Sequence, residues 1–393
     1  MNRNLIIAHG GGPTAVINSS LYGVIKAAEK SSEIDRIIGA AHGVEGILSE
    51  HFIDLSAAPR REIDLLPQTP ASAIGSCRRK LTEEDYPIIL DVFKKHDIRY
   101  FICNGGNDSM DTCNKVSKMA KEAGYELSVM GIPKTIDNDL AHTDHSPGFG
   151  SAARFYISAV RDMWAEVKAL PLFVTFFETM GRNAGWLAAS TSLAKQNGRS
   201  CAQLIYLPEI PFDKHRFISD IQAQLKKGRE LLVVVSEGIS NPDGTMLAAT
   251  GFVDGFGHRT PGGAAQAMAR ILTEETGIWA RGERPGLMGR ASQILQSPVD
   301  RDEAIACGEY AVNALLDGKS GYMVSLVRKS NSPYICELGL TPLSDVANVE
   351  RKFPMEWITP DKTGISPEFE EYLKPLIGGE FPDYTDFDTY YRL

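Results

Sequence analysis

Several features are missing from this 393-residue chain, and each absence narrows what it can be. No stretch reaches the ~18 consecutive apolar residues of a membrane span. The short apolar start, Leu5-Ile6-Ile7-Ala8, runs at once into Gly10-Gly11-Gly12-Pro13, with no small-residue cleavage site behind it. It reads as a first buried strand and not as a signal peptide. The six cysteines (77, 103, 113, 201, 307 and 336) are scattered, with no C-x-x-C pair and no histidine at metal-ligand spacing. A chain of this length needs no disulfide staples, so they read as reduced thiols of a cytoplasmic protein. Positive charge is scarce: 41 Lys and Arg against 50 Asp and Glu leave a formal net charge of -9. That balance argues against a nucleic-acid or anionic-membrane partner. Internal repeats, coiled coils and low-complexity tracts are lacking too. The first glycine loop lacks the full G-x-G-x-x-G spacing of a dinucleotide site, which argues against an oxidoreductase. Asp317-Gly318-Lys319-Ser320 imitates the end of a phosphate-binding P-loop, but Asn313 stands where its earlier glycine belongs. A glycine cap ending a helix is the expected structure there.

What is present is ordinary globular material: 43% hydrophobic and 23% charged residues, enough for two or three domains. Almost wholly apolar runs predict strands at 5–8, 98–103, 127–132, 172–177, 203–207, 231–235 and 322–327. Helical periodicity fills 15–29, 109–123, 151–169, 184–195, 215–226, 263–275 and 300–316. Apolar strands separated by helices signal parallel sheets covered on both faces. The expected fold class is α/β, two doubly wound Rossmann-like units with mostly parallel sheets. The aperiodic polar stretch 139–147 marks a boundary. Residues 1–140, with about 291–330, would form one domain and 141–290 the other. Residues 331–393, rich in Pro, Asp and Tyr, read as an irregular tail packed on the surface.

In such folds ligands bind where strand ends enter helices, and three strand ends here are unusual. The first is Gly10-Gly11-Gly12-Pro13-Thr14, whose glycines let backbone N–H groups approach a phosphate. The second is Cys103-Asn104-Gly105-Gly106-Asn107-Asp108-Ser109. A helix N-cap would explain Asp108 or Ser109 but not the paired glycines before them. The third is Pro133-Lys134-Thr135-Ile136-Asp137-Asn138-Asp139. Turn chemistry accounts for Asn138 and Asp139, but not for Lys134 and Asp137 beside them.

These loops in this order, followed by Met180-Gly181-Arg182-Asn183-Ala184-Gly185, resemble the phosphofructokinase family over roughly residues 5–327. The resemblance implies phosphorylation of the 1-hydroxyl of fructose 6-phosphate, from ATP or inorganic diphosphate, with Mg2+. By motif, Asp137 matches the catalytic base. Asp139 and Thr135 match residues that support the transferring phosphoryl group and its metal, and with Asp137 they are expected at the sugar phosphate. Lys134 and Arg182 complete the catalytic set. Met180, Gly181 and Arg182 match the sugar-phosphate loop, and Glu237 the residue that binds sugar hydroxyls. Gly11, Gly12, Gly106 and Arg78 match the diphosphate end. Arg290 and Arg281 match two sugar-phosphate arginines, although a shifted alignment selects Arg284. Asp108 and Asn107 are the candidate metal residues; Asn107 stands where the family commonly has Asp. Phe173 stands where many relatives have an Arg donated by a neighbouring subunit. A homodimer or homotetramer with sites at subunit interfaces is implied.

Asp108 and Lys134 discriminate between the donors. ATP-using relatives usually have glycine at both positions. A carboxylate at Asp108 would face a nucleotide's α-phosphate; two unit charges ~4 Å apart at an effective dielectric of ~20 repel by ~4 kcal/mol. An ammonium at Lys134 can hold the end of a short donor. The pair is the pattern of diphosphate-dependent members, with an ATP-dependent phosphofructokinase as the alternative. A non-catalytic regulatory protein of the same fold is disfavoured because both Asp137 and Asp139 are present.

Overall fold

The computed structural model describes residues 3–170, 174–228, 230–253, 259–385 and 387. The chain forms two compact units. The first comprises Met1–Ala152, Thr250–Thr260 and Leu287–Lys352, the second Ala153–Ala249, Pro261–Gly286 and Phe353–Leu393.

The first unit is built on a seven-stranded sheet in the order Tyr334–Pro342, Tyr322–Asn331, Ser128–Pro133, Ile98–Gly105, Asn4–His9, Ile37–Ala40, Phe52–Asp54. The five central strands are parallel and each edge strand is antiparallel. Alternate residues of the first strand feed two cores. Leu5 and Ile7 pack with Leu21, Ile25, Val312 and Leu315 on one face. Ile6 and Ala8 pack with Ile89, Phe93, Cys113 and Val116 on the other. Burial on both faces is why these strands lack polar alternation.

Two glycines set the helix packing on the first face. A Cβ on Gly23, in Ile17–Ala28, would lie 2.1 Å from Ile305 O; one on Gly308, in Pro298–Leu316, would lie 2.1 Å from Ser20 O. The helix Pro298–Leu316 ends at Gly318, with φ 75° and Lys319 N–H on Ala314 O, the glycine cap expected in place of a P-loop. Sequence neighbours diverge between the strands Asn4–His9 and Ile98–Gly105: the chain runs outward from the first toward Ile37–Ala40 and from the second toward Ser128–Pro133. Such a switch point opens a crevice at the carboxyl ends, and the glycine loops 10–12 and 105–106 leave from it.

The second unit has a four-stranded, wholly parallel sheet in the order Ala280–Glu283, Val174–Thr179, Leu231–Ser236, Leu204–Tyr206. Phe217 and Ile221 of the helix Lys214–Leu225, and Met268 and Leu272 of Ala264–Thr276, cover it.

The segment expected as an irregular tail departs from that expectation. Tyr334–Pro342 is a strand paired along its length with Tyr322–Asn331, and Pro367–Leu373 is a helix. Trp186, Phe353, Trp357, Phe369 and Tyr372 form an aromatic cluster with ring centroids 4.9–6.1 Å apart. Large apolar rings outweigh the Pro- and Asp-rich composition there. The helix expected over 184–195 is shorter, Trp186–Ser190. The strand expected over 172–177 is described from Val174, and its first two residues lie outside the described residues.

Candidate active site

The first unit gathers cations around Gly11 and Gly12. The chain turns at Gly11 with φ 76°, and its N–H donates to Cys77 O at 2.9 Å, which draws the 75–78 segment alongside. Lys134 Nζ donates to Gly12 O at 2.8 Å. A Cβ on Gly12 would lie 2.9 Å from Arg290 Nη1 and 3.4 Å from Arg78 Nη2. Three cationic groups therefore close on two glycines, where only missing side chains leave room.

Lys134 records their proximity. Burial lowers its pKa first, the Arg290 and Arg78 charges lower it further, and the value falls to about 8 although Cys103 and Asp137 oppose the shift. Beneath it, burial and then the Lys134 charge push His9 down to about 3, so His9 is a neutral imidazole. Arg290, which the resemblance matches to a sugar-phosphate arginine, stands with Arg78 against the first glycine loop.

The second loop has a packing reason for part of its sequence. A Cβ on Gly10 or Gly105 would lie 2.1 or 2.0 Å from Ser109 Oγ. These glycines let the first turn of the helix Asn107–Glu122 sit directly on the strand ends. The N-cap is Gly106, with no side-chain cap, so neither Asp108 nor Ser109 serves that role. Asp108 stands half-buried in the first turn, beside a cavity of about 190 Å³ lined also by Cys77, Arg79, Leu81, Tyr86 and Lys115. The Asn107 amide, oriented to satisfy both its ends, donates to Val349 O at 3.0 Å and Val346 O at 3.3 Å. Only its carbonyl end could then face a metal.

The third loop carries the carboxylates. Asp137 N–H donates to Thr135 Oγ1 at 3.1 Å. Asn138 is fully buried with φ 54°, and its Oδ1 accepts from Ser146 N–H at 3.0 Å. Asp137 and Asp139 are half-buried on either side of it. Burial and then the Glu350 carboxylate raise the Asp139 pKa, against lowering by its own backbone N–H, Thr135 and Arg351. Further along, His145 bridges Asp144 at 2.8 Å and Glu303 at 2.7 Å. Burial alone would lower its pKa, but these two carboxylates raise it to about 9.

The second unit locks two loops together. Gly181 N–H donates to Glu237 Oε1 at 3.3 Å, and Ser236 Oγ donates to Gly181 O. A Cβ on Gly238 would lie 1.6 Å from Arg182 O, and Gly181 has φ 117°. Met180 N–H donates to Tyr156 Oη at 3.0 Å, and Glu209 Oε1 accepts from Gly185 and Phe353 N–H at 2.9 Å each. Met180, Gly181, Arg182 and Glu237 thus form one assembly. Arg281 is exposed in an edge strand and paired with Glu283. Arg284 lies near the start of the helix Ala264–Thr276, by Gly263. Phe173 lies outside the described residues.

The family model for phosphofructokinase matches residues 4–315, taking in all of these loops. The chain belongs to the phosphofructokinase family. It is 40% identical over 97% of its length to a pyrophosphate--fructose 6-phosphate 1-phosphotransferase from Halomonas elongata, covering 93% of that protein. It is 41% identical, at the same coverage of both chains, to one of the same name from Xanthomonas campestris pv. campestris. The crystal structure of a pyrophosphate-dependent phosphofructokinase from Nitrosospira multiformis superimposes with a TM-score of 0.88 at 38% identity, over 98% of this chain and 94% of that one.

Sequence reasoning missed one contributor to the third loop. Arg351 lies more than 200 positions beyond it, yet its guanidinium donates to the carbonyls of Asn138, Thr143 and Asp144. A signal was available in principle, since a lone Arg after an acidic residue in an irregular segment asks where its donors go.

Proposed function

We propose that this chain transfers a phosphoryl group reversibly from inorganic diphosphate to the 1-hydroxyl of fructose 6-phosphate, giving fructose 1,6-bisphosphate and phosphate. The observation that carries the donor assignment is Lys134 Nζ on Gly12 O, with Arg290 and Arg78 on the same glycine. Together with the half-buried carboxylate of Asp108, this arrangement suits a small, highly charged anion and repels a longer nucleotide chain. The names of its relatives agree with that donor.

In the forward direction the sugar O1 attacks one phosphorus of diphosphate. The bridging P–O bond breaks, and its electron pair leaves with inorganic phosphate. The Asp137 carboxylate takes the O1 proton. Lys134, Arg78 and Arg290 offset the charge that builds on the oxygens, which is the main protein contribution to such transfers. Met180, Gly181, Arg182 and Glu237 would hold the sugar phosphate, with Arg281 or Arg284 as the further cation. The first unit would thus take the donor and the second the sugar phosphate.

Among the described residues no cluster of three His, Cys, Asp or Glu side chains could cage a metal. Mg2+ usually keeps its waters and binds through one or two carboxylates plus substrate phosphates, and the oxygen donors of Asp108, Asn107 and Asp139 are of the kind it takes. Asp108, with the Asn107 carbonyl and Asp139, would hold it, and when bound it would neutralise phosphate oxygens. A homodimer or homotetramer and a cytoplasmic location go with this reading. No described helix is long and apolar enough to cross a membrane.

The deciding assay offers purified enzyme fructose 6-phosphate and Mg2+ with each donor separately. Turnover with diphosphate and little with ATP is the expected result; robust turnover with ATP and none with diphosphate would overturn the proposal. The sugar end has its own test. Gly238→Ala places a methyl group inside van der Waals distance of Arg182 O, so the two loops must part. Displacement by ~1 Å costs about 100-fold in well-oriented sites. A loss of about 10- to 100-fold in kcat/KM for fructose 6-phosphate is expected, with diphosphate KM little changed. Parent-like sugar kinetics would remove those loops from the site.

A further inference from the structure

The carboxylates of the third loop flank a residue in an unusual conformation, and the protein holds it from a distance. Asn138 sits between Asp137 and Asp139 with φ 54°, a left-handed backbone that only a few non-glycine residues adopt readily, Asn among them. A left-handed residue reverses the chain locally, so the directions of both neighbouring carboxylates depend on keeping it there. Two sets of bonds do so. Inside the loop, Asn138 Oδ1 accepts from Ser146 N–H. From outside, Arg351 Nε and one Nη donate to Asn138 O at 3.2 and 2.9 Å, while its other Nη donates to Thr143 O at 2.9 Å and Asp144 O at 2.7 Å. The Arg351 backbone N–H donates to Asp139 O at 2.7 Å, and Leu140 and Glu350 form an antiparallel bridge. The turn residue and the chain at 143–144 are therefore drawn onto one guanidinium.

The geometry points to Arg351 as a positioning residue for Asp137: its planar fork fixes the left-handed turn that aims the catalytic carboxylate. Arg351 donates to the backbone carbonyl of the turn residue itself and to two carbonyls beyond it, which is how a positioning group differs from a substrate-binding one. A lysine cannot reproduce the arrangement, because its donors radiate from one nitrogen whereas the guanidinium spreads its donors across a plane.

This inference rests on the assignment of Asp137 as the base, so the experiment has one arm that needs no catalysis. Arg351→Ala and Arg351→Lys are compared with the parent by steady-state kinetics in diphosphate and fructose 6-phosphate, with and without millimolar guanidinium chloride. Hydrogen exchange of the 135–148 peptide is followed without substrate. Misaiming the base should lower kcat by about 10- to 100-fold in Arg351→Ala. KM for fructose 6-phosphate should stay within about threefold, since the assembly of Met180, Gly181, Arg182 and Glu237 is untouched. Guanidinium should restore part of kcat, Arg351→Lys should fall between, and exchange in 135–148 should quicken. A folded Arg351→Ala enzyme with parent-like kcat, or with raised KM at unchanged kcat, overturns the inference. If Arg351→Ala does not fold, the same kcat-against-KM split in Arg351→Lys decides it. If exchange quickens but the parent has no activity with these substrates, the functional assignment fails and the positioning of the loop stands; unchanged exchange removes the positioning role itself.

Discussion

Asp137→Asn is expected to lower kcat by about 10²- to 10⁴-fold, the span associated with a positioned general base, while both KM values stay within about threefold. Asparagine has nearly the shape of aspartate but cannot take the O1 proton. The backbone of the loop should not notice the change. Asp137 is held through its own N–H to Thr135 Oγ1, and the turn beyond it by bonds to Asn138. The same carboxyl group must return its proton when fructose 1,6-bisphosphate is cleaved by phosphate, so the reverse rate should fall by the same factor. Steady-state kinetics in both directions test this. A variant within about fivefold of the parent in kcat would remove Asp137 from the base role, because so small an effect lies below that of a general base.

How much of this was legible in the sequence follows from where each signal is stored. The apolar runs at 5–8, 98–103 and 231–235 became central strands because residues buried on both faces are mostly apolar. Ile37–Ala40 and Ala280–Glu283 were missed because four residues carry too little periodicity, and the second alternates charge. Tyr334–Pro342 was missed because an edge strand is half-exposed and tolerates polar residues. The loops that carry chemistry were legible because odd combinations concentrate at strand ends. Their meaning was not fully so. Gly10 and Gly105 are small for Ser109, which no spacing rule reveals. Arg290 and Arg351 reach their partners across more than 200 residues, and sequence distance holds no record of such contacts. Motifs identify which side chains do chemistry; the residues that aim them are set by topology.

Lys134 should govern the donor step at alkaline pH. Its ammonium is nearly buried, bonded to Gly12 O, and close to two arginines. Its pKa is lowered to about 8, so the free enzyme loses this charge as pH rises through that value. Diphosphate restores the balance, because phosphate oxygens favour the charged lysine. Thus kcat/KM for diphosphate should fall about tenfold per pH unit above that point, whereas the limb in kcat should lie at higher pH. Lys134→Met should lose about 1.5–3 kcal/mol of donor binding, the range for a hydrogen bond to a charged group, or about 10- to 150-fold in kcat/KM. The ionisation of diphosphate itself is common to both proteins, so the parent-to-variant ratio isolates the lysine. That ratio should be constant below the lysine pKa and shrink above it. Stability without ligand should run the other way. A lysine with a lowered folded pKa binds its proton more weakly folded than unfolded, so the parent should gain stability as pH rises from about 8 toward the ordinary lysine value. Lys134→Met should lack that gain in a thermal titration. A ratio that does not change across this range would mean that some other group carries the alkaline limb and that Lys134 keeps one charge state throughout it.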